Sequence, residues 1–176
     1  MKVIDTAIPD VKIFAPTVHR DTRGFFVESF RASWLGEFDF VQDNHSRSGQ
    51  GTLRGIHYQL EKPQGKLVRV SAGCVLDVAV DLRKRSPTFG QHVAQRLDDQ
   101  DMLQLWVPPG FGHGFYVLSE YAEFQYKCTD YYDPTDERAI LWNDPDLAID
   151  WGVEDTPNLS TRDQAAVLFS EADLYE

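Results

Sequence analysis

The chain has 176 residues, 42% hydrophobic and 26% charged, the balance of one globular domain with a substantial core. Its 17 Lys and Arg against 28 Asp and Glu leave a net charge of -11. That charge argues against broad binding to nucleic acid or an anionic membrane, which need a basic footprint, but not against a small anionic ligand in a local basic pocket.

The N-terminal "MKVIDTAIPDVKIF" carries no secretory apolar region, and no apolar run of about 18 residues occurs, so a cytoplasmic location is expected. In chain order, strands are expected at 25–30 (FFVESF), 66–73 (KLVRVSAG), 74–83 (CVLDVAVDLR), 91–97, 104–110, 113–118 and 122–132 (AEFQYKCTDYY). Each is short, rich in Val, Leu, Phe or Tyr, and set off by Gly, Pro, Asp or Asn, the pattern of an all-β sandwich or barrel. Within 74–83, Leu76, Val78, Val80 and Leu82 share one face, and Val75, Asp77, Ala79 and Asp81 share the other. Asp81 is expected in solvent at the strand end; Asp77, in mid-strand, is the odder placement. "ASWLGEF" (32–38) suits one short helical turn. Near the C-terminus, Ser160 reads as an N-cap, with Asp163 three residues on and good helix formers after it. Cys74 and Cys128 lie in apolar runs at no metal-type spacing and read as buried, reduced thiols. With no repeat or linker in view, one domain is expected over 1–176, a β core to about 145 and a helical segment over about 146–176.

"LRGIHYQ" (53–59) sets Arg54 and His57 in an apolar stretch, where burying both is costly unless something pairs with them. Taken alone, His57 reads first as a core histidine bonded to a carbonyl, beside an arginine reaching the rim. The two positions differ by three, so regular alternation sends them to opposite faces. Either Arg54 precedes the regular strand or Gly55 permits a bulge. "PPGFGHGF" (108–115) holds a Pro-x-Gly-x-x-His pattern that in cupin-type barrels aims a histidine, here His113, into the barrel mouth. A plain Pro-Gly turn before a strand fits it as well. Metal-binding cupins add a His-x-His pair, but Gln59 stands where its second histidine belongs. His57 and His113 are too few for the usual ligand sets, so no metal is expected and both read as acid–base or hydrogen-bonding groups. Lys66 opens a strand, as solvated strand ends often do. Arg23 and Glu28 flank an apolar ridge in the manner of a protected edge strand. Tyr126, Tyr131 and Tyr132 suit sheet aromatics with hydroxyls at the rim.

The order and spacing of these motifs say more than any one of them. "D-x-RGFFVESF", "FVQDNHS", "LRGIHYQ", "PQGKLVRV", "VLDVAVDLRKRSPTFG", "LWVPPGFGHGF", "LSEYAEFQYKCTDYY" and "ILWNDPDLAIDW" together resemble the dTDP-4-dehydrorhamnose 3,5-epimerases, from about residue 3 to residue 165. The resemblance implies an all-β, cupin-like double-stranded β-helix (jelly roll) with short C-terminal helices. It also implies a homodimer without metal or cofactor, acting on a dTDP-4-keto-6-deoxyhexose. By matched motif it makes His57 the base, Tyr126 the acid on the opposite face of the sugar, and Asp163 the partner of His57. Lys66 would stabilise the enolate oxygen, with Arg54 and His113 nearby. Arg23, Glu28, Gln42, Asn44, Glu137 and Arg162 match positions that hold the nucleotide-sugar, with Asp77 and Tyr132 just behind. A monofunctional 3- or 5-epimerase and a non-catalytic sugar-binding cupin are the alternatives. Three departures stand out: Gly112 where the family more often has Ala, Arg162 where Lys is found, and "DWG" near Trp151 in place of "WP". Arg162 keeps the charge and can fork onto phosphate oxygens.

Overall fold

The computed structural model describes residues 1–153 and 155–176. Two antiparallel sheets face each other. The first runs β1 (Lys2–Asp5), β2 (Lys12–Ala15), β10 (Gln104–Val107), β7 (Lys66–Ala72), β12 (Tyr121–Cys128) and β5 (Gln42–Gly49). The second runs β13 (Glu137–Ala139), β6 (Leu53–Gln59), β11 (Phe111–Val117), β8 (Cys74–Asp81) and β9 (His92–Asp98). From β5 onward the chain mostly alternates between sheets, which is the connectivity of the expected jelly roll. No helix among the described residues is long and apolar enough to cross a membrane.

Between the sheets, Val68, Val70, Val75, Ala79, Leu97, Leu105, Phe115 and Phe124 form the core, with Phe115 and Phe124 stacked at 4.2 Å. The opposite face of β8 is apolar too, and it is not left to solvent. Val78, Val80 and Leu82 pack under Ile140, Leu147 and Trp151, joined by Phe169 and Tyr175. Burying side chains of that size contributes roughly 1.5 to 3 kcal/mol each, enough to hold the C-terminal segment across the sheet.

That demand shortens the expected C-terminal helix. Only α1 (Thr161–Gln164) and a 3₁₀ turn at Phe169–Glu171 form. Extended chain between and after them bridges to the sheet at Ile140↔Val167 and Arg83↔Tyr175. Helix propensity yields to the apolar surface that the segment has to cover. The expected turn at 32–38 is a 3₁₀ helix over Ala32–Leu35.

Three other expectations change. The strand sought at 25–30 is β4 (Gly24–Val27), which pairs only with β3 (Val18–Asp21) in a hairpin separate from both main sheets. The strand sought through residue 132 ends at Cys128, where Thr129 and Asp130 turn their backbone and side chains to Gly65, Gln64 and Tyr131 instead of the ladder. Asp81 is fully buried, not solvated. Burial pushes its carboxyl up, but hydrogen bonds from Arg83, Ser86 and Thr88 outweigh this and bring it down to about 2. Both cysteines are buried free thiols, as expected.

Candidate active site

The mouth of the barrel encloses a cavity of about 570 Å³, lined from both sheets. The first sheet supplies Gln42, Asn44 and Ser46 from β5, Lys66 from β7, and Tyr126 from β12. The second supplies Arg54 and His57 from β6, His113 from β11, and Glu137 from β13. Tyr132, Arg162 and Asp163 close the rim.

Arg54 and His57 do share a face, and Gly55 is the reason. Its φ is +122°, and the register between β11 and β6 shifts between His113 and Phe115. A Cβ on Gly55 would lie 2.5 Å from Gly114 Cα and 2.7 Å from the His113 carbonyl oxygen. Only glycine fits this bulge, and the bulge removes the parity conflict. Arg54 lies within β6 and donates from Nε to Ser48 Oγ at 3.1 Å.

His57 Nε2 lies 2.7 Å from Asp163 Oδ1, which also accepts from the Gly55 backbone N–H. The other oxygen of Asp163 accepts from the Ser160 hydroxyl at 2.6 Å and from the Ser160 backbone N–H. The Ser160 hydroxyl in turn accepts from the Asp163 N–H, completing a capping box. One carboxylate therefore does both jobs, capping with one oxygen and orienting His57 with the other. Burial would raise the Asp163 carboxyl, but the bonds from His57 and Ser160 hold it below the ordinary carboxylate value. An ionised Asp163 favours the tautomer with the proton on His57 Nε2, which would leave Nδ1 unprotonated toward the cavity. Glu137 Oε1 lies 3.9 Å from Nδ1.

Across the cavity, Tyr126 projects from the opposite sheet. Burial pushes its hydroxyl up to about 12, so it carries its proton at neutral pH. Lys66 is not a solvated strand end. Burial weakens its hold on the proton, opposed by Cys128 and Asp77, and its ammonium lies 6.0 Å from the centre of the Tyr126 ring. His113 Nε2 lies 2.9 Å from Asp77, which is fully buried behind it and does not line the cavity.

Tyr132 was expected behind the site, yet it reaches the cavity from beyond the end of β12. Its hydroxyl donates to Glu137 Oε2 at 2.8 Å and accepts from Arg162 Nη1 at 3.2 Å, and Arg162 is also ion-paired with Glu137. Arg23 and Glu28 do not line the cavity of their own chain. Arg23 pairs with Asp21 at the exposed tip of the β3–β4 hairpin, and Glu28 pairs with Arg31. Ser46, Gln64 and Asn158 line the cavity without having been expected there. For Ser46 the signal was present, since strict alternation from Gln42 and Asn44 reaches it.

A histidine paired with a carboxylate on one sheet and a protonated tyrosine on the other face one polar cavity, an arrangement suited to proton transfer in a cupin-like barrel. Comparison with known proteins narrows the chemistry. The family model described as dTDP-4-dehydrorhamnose 3,5-epimerase matches residues 5–171. The dTDP-4-dehydrorhamnose 3,5-epimerase of Pseudomonas aeruginosa is 54% identical over 180 residues, covering 99% of both chains. That of Salmonella typhimurium is 53% identical, covering 100% of both. A crystal structure of the dTDP-6-deoxy-D-glucose-3,5-epimerase from Legionella pneumophila, in complex with dTDP-4-keto-L-rhamnose, superposes with a TM-score of 0.97 at 51% identity. It covers 99% of this chain and 97% of that one. The chain belongs to the dTDP-4-dehydrorhamnose 3,5-epimerase family.

The double duty of Asp163 makes a separable prediction. Asp163→Asn should lower stability by no more than the worth of a cap, about 0.5 to 2 kcal/mol. Turnover of a dTDP-4-keto-6-deoxy sugar per folded molecule should fall by about 10² or more, because the imidazole loses its orienting anion. Thermal melting and kinetics on one preparation decide it. A large drop in melting temperature with unchanged turnover would leave only the cap.

Proposed function

We propose that the protein converts dTDP-4-dehydro-6-deoxy-D-glucose to dTDP-4-dehydro-L-rhamnose by inverting carbons 3 and 5, with His57 as base and Tyr126 as acid. The observation that carries this reading is the placement of those two groups on opposite sheets across one cavity. Inversion requires exactly such an arrangement in chemical terms: one proton leaves one face of the sugar and another arrives on the other.

The keto group at carbon 4 acidifies the hydrogens at carbons 3 and 5. His57 Nδ1 removes one of them, and the charge passes to the carbon 4 oxygen as an enolate. Lys66, with Arg54 and His113 nearby, supplies cationic or donor groups for that oxygen in a partly desolvated setting, where such groups act strongly. Tyr126 then delivers its proton to the opposite face, and solvent resets both residues. The same sequence at the second carbon completes the reaction. No electrons are transferred overall, so the chemistry calls for no redox cofactor, and Lys66 with its neighbours supplies the charge that the enolate oxygen needs. Arg162, Gln42 and Asn44 suit the diphosphate and nucleotide portion, with the Tyr132–Glu137–Arg162 cluster ordering that rim.

The proposal includes a homodimer. Phe25 and Phe26 are 56% and 71% exposed on a hairpin that joins neither main sheet, an arrangement that a second copy would cover. Such an arm would carry Arg23 and Glu28 to the cavity of the other subunit, which accounts for their absence from their own. The proposal further takes 1–176 as one domain acting in the cytoplasm.

In deuterated water the protein should place deuterium at carbons 3 and 5 with inversion at both. Tyr126→Phe should keep exchange through His57 while epimerised product falls about 10² to 10⁴-fold. His57→Asn should lose both. Product NMR reads each case. Exchange at one carbon only would make the protein a monofunctional epimerase, and no exchange a binding module. Full inversion by Tyr126→Phe, with loss in Tyr132→Phe, would move the acid to Tyr132. For the dimer, light scattering at micromolar concentration should give twice the chain mass; a monomer alone would remove the shared-site arrangement.

A further inference from the structure

Gln59 lies two residues beyond His57 on β6 and is 3% exposed. Alternation puts it on the cavity side of the strand, yet it does not line the cavity. Its amide is engaged with backbone instead. Nε2 donates to the Lys62 carbonyl at 2.9 Å and to the Tyr131 carbonyl at 3.2 Å, while Oε1 accepts from the Asp133 N–H at 2.8 Å. The last two groups belong to the peptide units immediately before and after Tyr132. One buried side chain thus holds both peptides that flank a cavity residue.

Beyond Gln59, the Tyr132 backbone is tied by its own N–H, which donates to Gln42 Oε1 at 2.9 Å. Tyr132 lies past the end of β12, outside the sheet ladder, and is 47% exposed. The third anchor, Lys62, sits in a turn that is itself fixed. The N–H groups of Leu60, Glu61 and Lys62 all donate to the buried carboxylate of Asp136, at 3.2, 3.0 and 2.9 Å. The Gln59 amide therefore spans from a rigid turn to the Tyr132 backbone.

We infer that Gln59 is a positioning residue for Tyr132, setting where its phenol meets Glu137 and Arg162 and so how tightly the nucleotide diphosphate is held. This rests on the reading that the Tyr132–Glu137–Arg162 rim binds the nucleotide-sugar. The side-chain chemistry is specific. Glutamate keeps the acceptor for Asp133 but turns an anion toward two carbonyls. Leucine, of similar size, leaves three backbone groups without a side-chain partner.

The test measures dTDP affinity by calorimetry, and kcat and KM on the keto-sugar, for Gln59→Leu, Tyr132→Ala and the double variant. Gln59→Leu should weaken dTDP binding and raise KM about tenfold, with kcat changed less than about threefold. In the Tyr132→Ala background it should add less than about twofold, since the residue it positions is gone. Gln59→Glu should move in the same direction and serves if the leucine variant does not fold. Unchanged affinity and KM, or effects of Gln59→Leu and Tyr132→Ala that simply multiply, would overturn the inference and leave Gln59 a structural residue. Calorimetry with dTDP needs no turnover, so a wild-type protein that binds dTDP without epimerising would sink the proposed reaction while this test still reads out.

Discussion

The hydrogen bond between His57 Nε2 and Asp163 Oδ1 joins residues 106 apart in sequence, and much of the molecule is arranged to make it. Asp163 reaches the barrel mouth on a C-terminal segment that Ile140, Leu147 and Trp151 hold across the outer face of the second sheet and that the Thr52↔Asn158 bridge ties to the start of β6. The capping box then fixes the carboxylate, and the Gly55 N–H adds a donor from the same bulge that turns Arg54 into the cavity. A buried anion is costly when unpaired. Here the His57 bond offsets part of that cost and orients the ring, while the Ser160 and Gly55 bonds hold the carboxylate in place. Packing on the outside of the sheet in this way sets where the Asp163 carboxylate meets His57 inside it.

The cavity inverts the charge balance of the chain. Against a net charge of -11, it gathers Arg54, Lys66 and Arg162. Their anionic neighbours are already engaged: Asp163 with His57, Asp77 with His113, and Glu137 with Arg162 and Tyr132. Partial burial strengthens fields within such a site, and the same burial lowers the proton affinity of Lys66 and raises that of Tyr126. A low local dielectric that makes Tyr126 reluctant to ionise also strengthens the field of a nearby ammonium within the cavity.

The apolar strands were legible because Val, Leu and Phe alternate visibly in them, and the matched motifs pointed to most cavity residues. The polar strand β5 (QDNHSRSG) escaped pattern reading because its inward positions face the cavity instead of the core. Asp81 was misread as solvated because its partners Arg83, Ser86 and Thr88 return to it through a loop that periodicity does not describe. The C-terminal helix was overextended because propensity is local, whereas the apolar face that claims those residues lies on β8, some eighty positions earlier in roughly counted sequence. The spacing of Arg54 and His57 raised a conflict that only the positive φ of Gly55 could resolve. Gln59 was read by its place in a metal-ligand pattern, while its partners at Lys62, Tyr131 and Asp133 are visible only once the chain is folded.

Whether Asp163 holds the proton on His57 Nε2 and leaves Nδ1 free to act as base is written in the tautomer of the ring. Nitrogen-15 NMR of the imidazole, at a pH where the ring is neutral, tests it most directly. A protonated Nε2 and a bare Nδ1 are expected, with that preference lost in Asp163→Asn. A ring protonated on Nδ1, or one whose tautomer ignores the Asp163 substitution, would contradict it.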